Sequence, residues 1–198
     1  MEMKIARRAI VAETMAKLSE SETLLDEALE YGGPELDIRQ LIEDLLIHDA
    51  CRTLDTASWE EIGEWLPLSG AVRRSGETSY FSLPSDFRRM VYLRMSDWPG
   101  PETRFATETS EALGLRRLWA RRGTVGHRAY PGVGLIRSGN GFALEIYGTC
   151  QGSRVAEGGY LPHPTDDGEG NLIFPPSLLD SLTDRLARHV EAIRRLTP

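Results

Sequence analysis

Four histidines, His48, His127, His163 and His189, and two cysteines, Cys51 and Cys150, carry the nucleophilic and metal-binding potential of this 198-residue chain. Their spacing argues against both uses. No close Cys/His ligand pair exists, so a structural zinc site and any other metal are not expected. His48 and Asp49 are neighbours within a helical pattern and should face different ways, which makes them a poor catalytic dyad. Cys51 reads as a small buried residue rather than a nucleophile. His127, in "TVGHRAY", could act as a base beside a carboxylate in a small hydrolase or transferase, but no placed nucleophile accompanies it. Ser85 and Asp86, in "LPSDF", read as a cap or turn. The run "TDDGEG" offers the hard oxygens of Asp166, Asp167 and Glu169, but the EF-hand spacing fails and a solvated turn is the expectation. The glycines of "GVGLIRSGNG" follow a proline and do not open a helix as a dinucleotide fingerprint would. No catalytic residue and no cofactor is therefore expected, and the chain reads as a non-enzyme.

Cations offer a second kind of chemistry. Arginine pairs recur at Arg7–Arg8, Arg73–Arg74, Arg88–Arg89, Arg116–Arg117, Arg121–Arg122 and Arg194–Arg195. The net charge is −7, unevenly spread: residues 1–70 hold 6 basic and 16 acidic side chains, and residues 71–130 hold 11 and 6. Such polarity suits a protein whose faces meet different partners. Arg88, Arg89, Arg116, Arg117, Arg121 and Arg122 are the candidate partner-binding residues. In "LRRLWARRG", Trp119 lies between two pairs, so Arg116–Arg122 could serve a nucleic-acid-binding or regulatory module. Arginine forks also pair well with carboxylates of an acidic protein.

The elements that must hold these residues follow from periodicity. A long first helix is expected from about Lys4 to Glu30, broken or capped near Ser19 or Ser21. "YGGP" at 31–34 would stop it as a hinge. "PELDIRQLIEDLLIHDACRTLDTASW" is the clearest helix, with Ile38, Leu41, Ile42, Leu45, Leu46, Ala50 and Leu54 in an apolar stripe. From Trp59 the texture changes to short apolar pieces split by proline and glycine. "RRMVYLRM" reads as a strand with Met90, Tyr92 and Arg94 on one side and Val91, Leu93 and Met95 on the other. "TSEALGLRRLWARRG" is a short helix or a loop, and "GVGLIRSGNGFALEIYG" is a hairpin. A final helix follows "LIFPP", with Leu179, Leu182, Leu186, Val190 and Ile193 on one face and Pro176 near its first turn. The expected fold is α+β: mainly a helical bundle, with a long early helix and a C-terminal helix, carrying a small antiparallel β-hairpin or sheet insertion. Residues 1–58 would be helical, 59–174 β-containing with loops, and 175–198 a helix packing back on the first region. No apolar run reaches membrane-spanning length, and the N-terminus lacks the apolar core of a signal peptide. Two distant cysteines fit a reduced, cytosolic state better than a disulfide framework.

The order of three segments carries a family resemblance. "YFSLPSDFRRMVYLRMSDW" resembles a segment of tailed-bacteriophage head-to-tail adaptors, also called connector or head-completion proteins. There a tyrosine, a leucine-proline and an aspartate-phenylalanine lead into a strand. Tyr80, or alternatively Phe81, with Leu83, Pro84, Asp86, Phe87 and Arg88 are the matching positions. "GGYLPHPTDDGEGNLIFPPSLLDSLTDRLARHV" is similar to that group's closing segment, through Tyr160, Pro162, Phe174, Pro175 and Leu179. "IRQLIEDLLIHDACRTLDT" is similar to its early helix. The resemblance touches most of residues 36–192 in order, and residues 1–30 have no assigned counterpart.

The resemblance implies a structural virion protein at the head–tail interface, made in the host cytoplasm. It would form a homo-oligomeric ring, dodecameric by resemblance, between a portal protein and tail or nozzle proteins. Double-stranded DNA would pass through its lumen without sequence-specific binding, and no membrane would be involved. A closed ring requires two different complementary side faces on each protomer. An acidic protein would also hold a passing duplex weakly.

Overall fold

The computed structural model describes residues 3–22, 37–58, 60–102, 104–107, 109–120, 131–139 and 141–196. In chain order these form β1 (Lys4–Ala6), α1 (Arg7–Glu22), α2 (Ile38–Thr56), β2 (Leu66–Ala71), β3 (Arg73–Ser75), β4 (Thr78–Ser82) and β5 (Phe87–Met95). They continue with α3 (Thr109–Ala120), β6 (Gly132–Ser138), β7 (Gly141–Tyr147), β8 (Arg154–Pro162), β9 (Thr165–Asp166), β10 (Asn171–Ile173), a 3₁₀ turn (Pro176–Leu178) and α4 (Leu179–Leu196). Two compact units result, one from Met1–Glu64 with His163–Pro198, the other from Trp65–Pro162.

The expectation of a mainly helical bundle with a small β insertion is overturned. Among the described residues there are four α-helices and three separate antiparallel sheets, ordered β1-β10-β9, β2-β8-β5 and β3-β4-β7-β6. The physical reason is partner distance. The β6–β7 hairpin is local and was legible, with Gly132 opposite Tyr147 and Ser138 opposite Gly141. By contrast, β2 and β5 both pair with β8, and β4 pairs with β7. Short apolar pieces that look like loops in isolation become strands only when a distant edge accepts their N–H and C=O groups.

In the unit of residues 1–64 and 163–198, the start of the expected first helix is a strand. Lys4 to Ala6 pair with Ile173 to Asn171, burying Met3 and Ile5, and helix begins only at Arg7. Ser19 does not break α1; its Oγ donates to the Met15 carbonyl inside the helix. The proposed hinge at 31–34 lies outside the described residues. Helix α2 opens at Asp37, whose carboxylate accepts from the Arg39 and Gln40 N–H groups. It buries Ile42, Leu46, Ala50 and Leu54, with the polar Asp49 and Thr53 among them. Helix α4 packs on α1 and α2 through Leu182, Leu186 and Val190, all fully buried. Its buried Thr183 is satisfied by the Leu179 and Asp180 carbonyls. Lys17 of α1 reaches Asp180 and Asp184 of α4, each at 2.5 Å. No helix among the described residues is long and apolar enough to cross a membrane.

In the unit of residues 65–162, both larger sheets contribute to one core. It includes Leu68, Phe81, Phe87, Met90, Leu93, Met95, Trp98, Val133, Leu144, Ile146, Val155 and Tyr160. Strict alternation along β5 fails. Register shifts between Phe87 and Arg89 and between Met90 and Tyr92 leave Arg88 and Val91 as extra residues. Met90 therefore joins Leu93 and Met95 in the core cluster, against the face expected from a period of two.

Candidate functional site

The residues singled out by resemblance in the β unit fall into two groups. Pro84 and Asp86 belong to a tight turn, closed by the Phe87 N–H donating to the Pro84 carbonyl at 3.2 Å. Phe87, at the start of β5, stands opposite Pro162 at the end of β8 and stacks on Tyr160, with ring centroids 6.2 Å apart. The Tyr160 hydroxyl donates to Asp86, 3.1 Å from Oδ1 and 3.4 Å from Oδ2. Burial and then the Asp86 charge push the Tyr160 phenol up to about 12. Leu83 packs on the core beside them. Asp86 thus lies in the turn read from the sequence and accepts a tyrosine hydroxyl there. Leu83, Asp86, Phe87, Tyr160 and Pro162 form one clasp at the corner where β5 begins and β8 ends.

Tyr80 belongs elsewhere. Its hydroxyl donates to Oε1 of the buried Glu145 at 3.1 Å, and Arg116 Nε donates to Oε2 of the same carboxylate at 2.8 Å. Burial, then Glu145, raises the Tyr80 phenol, and Glu145 raises the Arg116 guanidinium. Tyr147 lies in the same group and is raised chiefly by burial, with Glu145 second. The clustered arginines of the sequence are consequently not equivalent. Arg116 is committed to a buried carboxylate, and Arg117 is exposed on α3. Arg121, Arg122 and His127 lie outside the described residues, as does the side chain of Trp119. Arg88 and Arg89 are half-buried in the irregular start of β5.

In the other unit, Phe174 is fully buried and its N–H donates to the Met3 carbonyl at 3.0 Å. Pro175 precedes the 3₁₀ turn, Pro176 occupies its first positions, and Leu179 starts α4 half-buried. "TDDGEG" comprises β9 and the turn that leads into β10. Asp167 Oδ1 accepts from the Glu169 and Asn171 N–H groups at 2.8 and 3.0 Å, and Oδ2 from Asn171 Nδ2 at 2.9 Å. The Asn171 side chain first, then these N–H groups, hold its carboxyl well below the usual range. Lys4 Nζ lies 3.2 Å from Asp167, and Arg7 pairs with Asp166.

The densest polar group is one that sequence reasoning set aside. His48 and Asp49 do meet: His48 Nδ1 lies 3.0 Å from Asp49 Oδ1. From α4, His189 Nδ1 lies 3.1 and 3.0 Å from the two oxygens of the same carboxylate. Asp49 is only 2% exposed, and a carboxylate so buried must be hydrogen-bonded. An ionised carboxylate only accepts, so each Nδ1 is the donor, and in a neutral imidazole Nε2 keeps its lone pair. The three ligand atoms lie within 4.8 Å of one another, a spacing compatible with a metal ion. Adjacent helical residues can share a contact when the first side chain bends back along the surface toward the buried second. The sequence signal was the acid on the apolar stripe of α2, facing a histidine between Leu186 and Val190. Nearby on α2, Cys51 Sγ approaches the ring nitrogens of His163 at 3.8 and 3.9 Å, a contact between residues 112 apart.

No protein-family model matches the chain, and no curated protein matches it significantly.

Proposed function

We propose that this protein is a structural virion adaptor of the head-to-tail type, forming a ring between portal and tail and extending the DNA channel. The observation that carries the reading is the clasp. Leu83, Asp86 and Phe87 come from one resembling motif, and Tyr160 and Pro162 from another. In the fold the Tyr160 hydroxyl and the Asp86 carboxylate, 74 residues apart, form a single hydrogen-bonded corner. A motif that serves architecture is used in this way, at a junction rather than at a reacting centre. The β unit also begins and ends side by side, since Leu66 pairs with Tyr160.

The ring would be homo-oligomeric, dodecameric by resemblance, with a portal protein on one side and tail or nozzle proteins on the other. DNA would pass without sequence-specific contacts, and the virion head–tail interface would be its location. The competing nucleic-acid reading is weakened at Arg116, whose guanidinium already serves Glu145. The test is sedimentation velocity and electron microscopy of the chain alone and mixed with portal rings of the same phage. The expected result is ring-shaped density capping the portal. A chain that stays monomeric and never associates with portal rings refutes the proposal.

A further inference from the structure

One cluster is untouched by the adaptor reading. His48, Asp49 and Arg52 of α2, with Arg185, Arg188 and His189 of α4, line an open pocket of about 380 Å³. It holds three guanidiniums and one carboxylate, and that carboxylate is already occupied by the two imidazoles. Arg185 Nη2 donates to Thr56 Oγ1 at 3.0 Å, but its Nε is buried with no hydrogen-bond partner among the described residues. A buried donor without an acceptor is rare and costly. Arg188 Nε donates to the Asp184 carbonyl at 3.1 Å, and Arg188 and Arg52 are otherwise exposed.

We propose that this pocket binds a phosphate group that carries an ionisable P–OH, either inorganic phosphate or a phosphate monoester. Guanidinium forks match the oxygens of a tetrahedral oxyanion, and the net positive charge of the lining favours an anion. Each Nδ1 faces the Asp49 carboxylate, so a neutral imidazole here carries its proton on Nδ1 and offers Nε2 as an acceptor. A P–OH can donate to such an acceptor; inorganic phosphate keeps one at neutral pH and a monoester keeps one in its monoanion, whereas sulfate and a phosphodiester have no proton to give. The same arithmetic disfavours the metal reading of His48, Asp49 and His189, because three arginines share the pocket and repel a cation. The pocket is larger than one phosphate and leaves room for an ester's organic group. The site stands whether or not the chain forms a ring.

Isothermal titration of the full chain tests this with inorganic phosphate, glycerol phosphate, sulfate, a DNA duplex without terminal phosphates, and Zn²⁺. Saturable binding of phosphate or glycerol phosphate, at least about tenfold tighter than sulfate or duplex, is expected. The tighter of the two distinguishes a free ion from an ester. Arg52→Gln and Arg188→Gln should each weaken binding about tenfold or more while circular dichroism is unchanged. Arg154→Gln, on the other unit, should bind as the parent does. Equal binding of sulfate and phosphate, unchanged affinity in both arginine variants, or Zn²⁺ binding that Asp49→Asn abolishes with no phosphate binding, overturns the proposal.

Discussion

Replacing Tyr160 with phenylalanine removes one oxygen from the clasp and leaves its ring on Phe87. The Tyr160 side chain sits in the core with the residue 6% exposed, whereas Asp86 is exposed. Near neutral pH the variant should lose the net value of a charge-assisted hydrogen bond, about 1 kcal/mol once water reaches Asp86. The sign changes at high pH. In the unfolded chain tyrosine ionises near ~10, but in the fold burial and Asp86 hold the Tyr160 phenol up to about 12. Stability from this group is fully present below the unfolded value and is lost as pH rises toward the folded one. A two-unit shift bounds the loss at about 2.7 kcal/mol, and screening at the exposed Asp86 brings it to about 1–2 kcal/mol. Phenylalanine cannot ionise. The advantage of the parent over Tyr160→Phe should therefore close between about pH 10 and 12 and then reverse. Urea unfolding of both proteins across this range measures it. Tyr80 and Tyr147 also have raised values, but they are common to both proteins and cancel in the difference. A stability gap that stays constant through the alkaline range refutes the argument that Asp86 and burial act on this hydroxyl.

Other outcomes follow from the same physics. At Gly159 a Cβ would stand 2.6 Å from Trp65 Cδ1 and 2.9 Å from Tyr92 Cε1, so Gly159→Ala should cost about 1–3 kcal/mol by urea unfolding. A variant as stable as the parent would mean that the Trp65–Tyr92 pair shifts freely. Asp167 has a lowered carboxyl, so its contribution is present above the unfolded value and lost as pH falls below about 4. Asp167→Asn should be less stable at neutral pH and flatter in its acid limb, read by circular dichroism. Parallel acid profiles would remove Asp167 from the account of the β9–β10 turn.

Helices announced themselves locally. The stripe of α2 and the face of α4 are visible at a spacing set by one turn, and Ile42, Leu46, Leu54, Leu182, Leu186 and Val190 are buried as that spacing requires. The β6–β7 hairpin was equally legible because its strands meet across a short turn. The clasp was half legible: its residues stood out by type and order, but the Tyr160–Asp86 bond did not. The His48–Asp49–His189 group was misread, because helical spacing says which way a Cα–Cβ bond points and not where a buried carboxylate will find its donors.

The sequence by itself determined α2 and α4, the local hairpin, the acidic ends around a basic middle, and the residues on which the adaptor resemblance rests. Each depends on neighbours within a few positions, where chain connectivity already supplies the contact. Only the tertiary structure decided that Lys4–Ala6 is a strand, that β8 receives both β2 and β5, that a bulge turns Met90 into the core, and that six charged or imidazole side chains share one pocket. Those outcomes depend on which distant groups satisfy one another's hydrogen bonds and exclude water together. A chain read in order carries the donors and acceptors, but their pairing exists only after the core has closed.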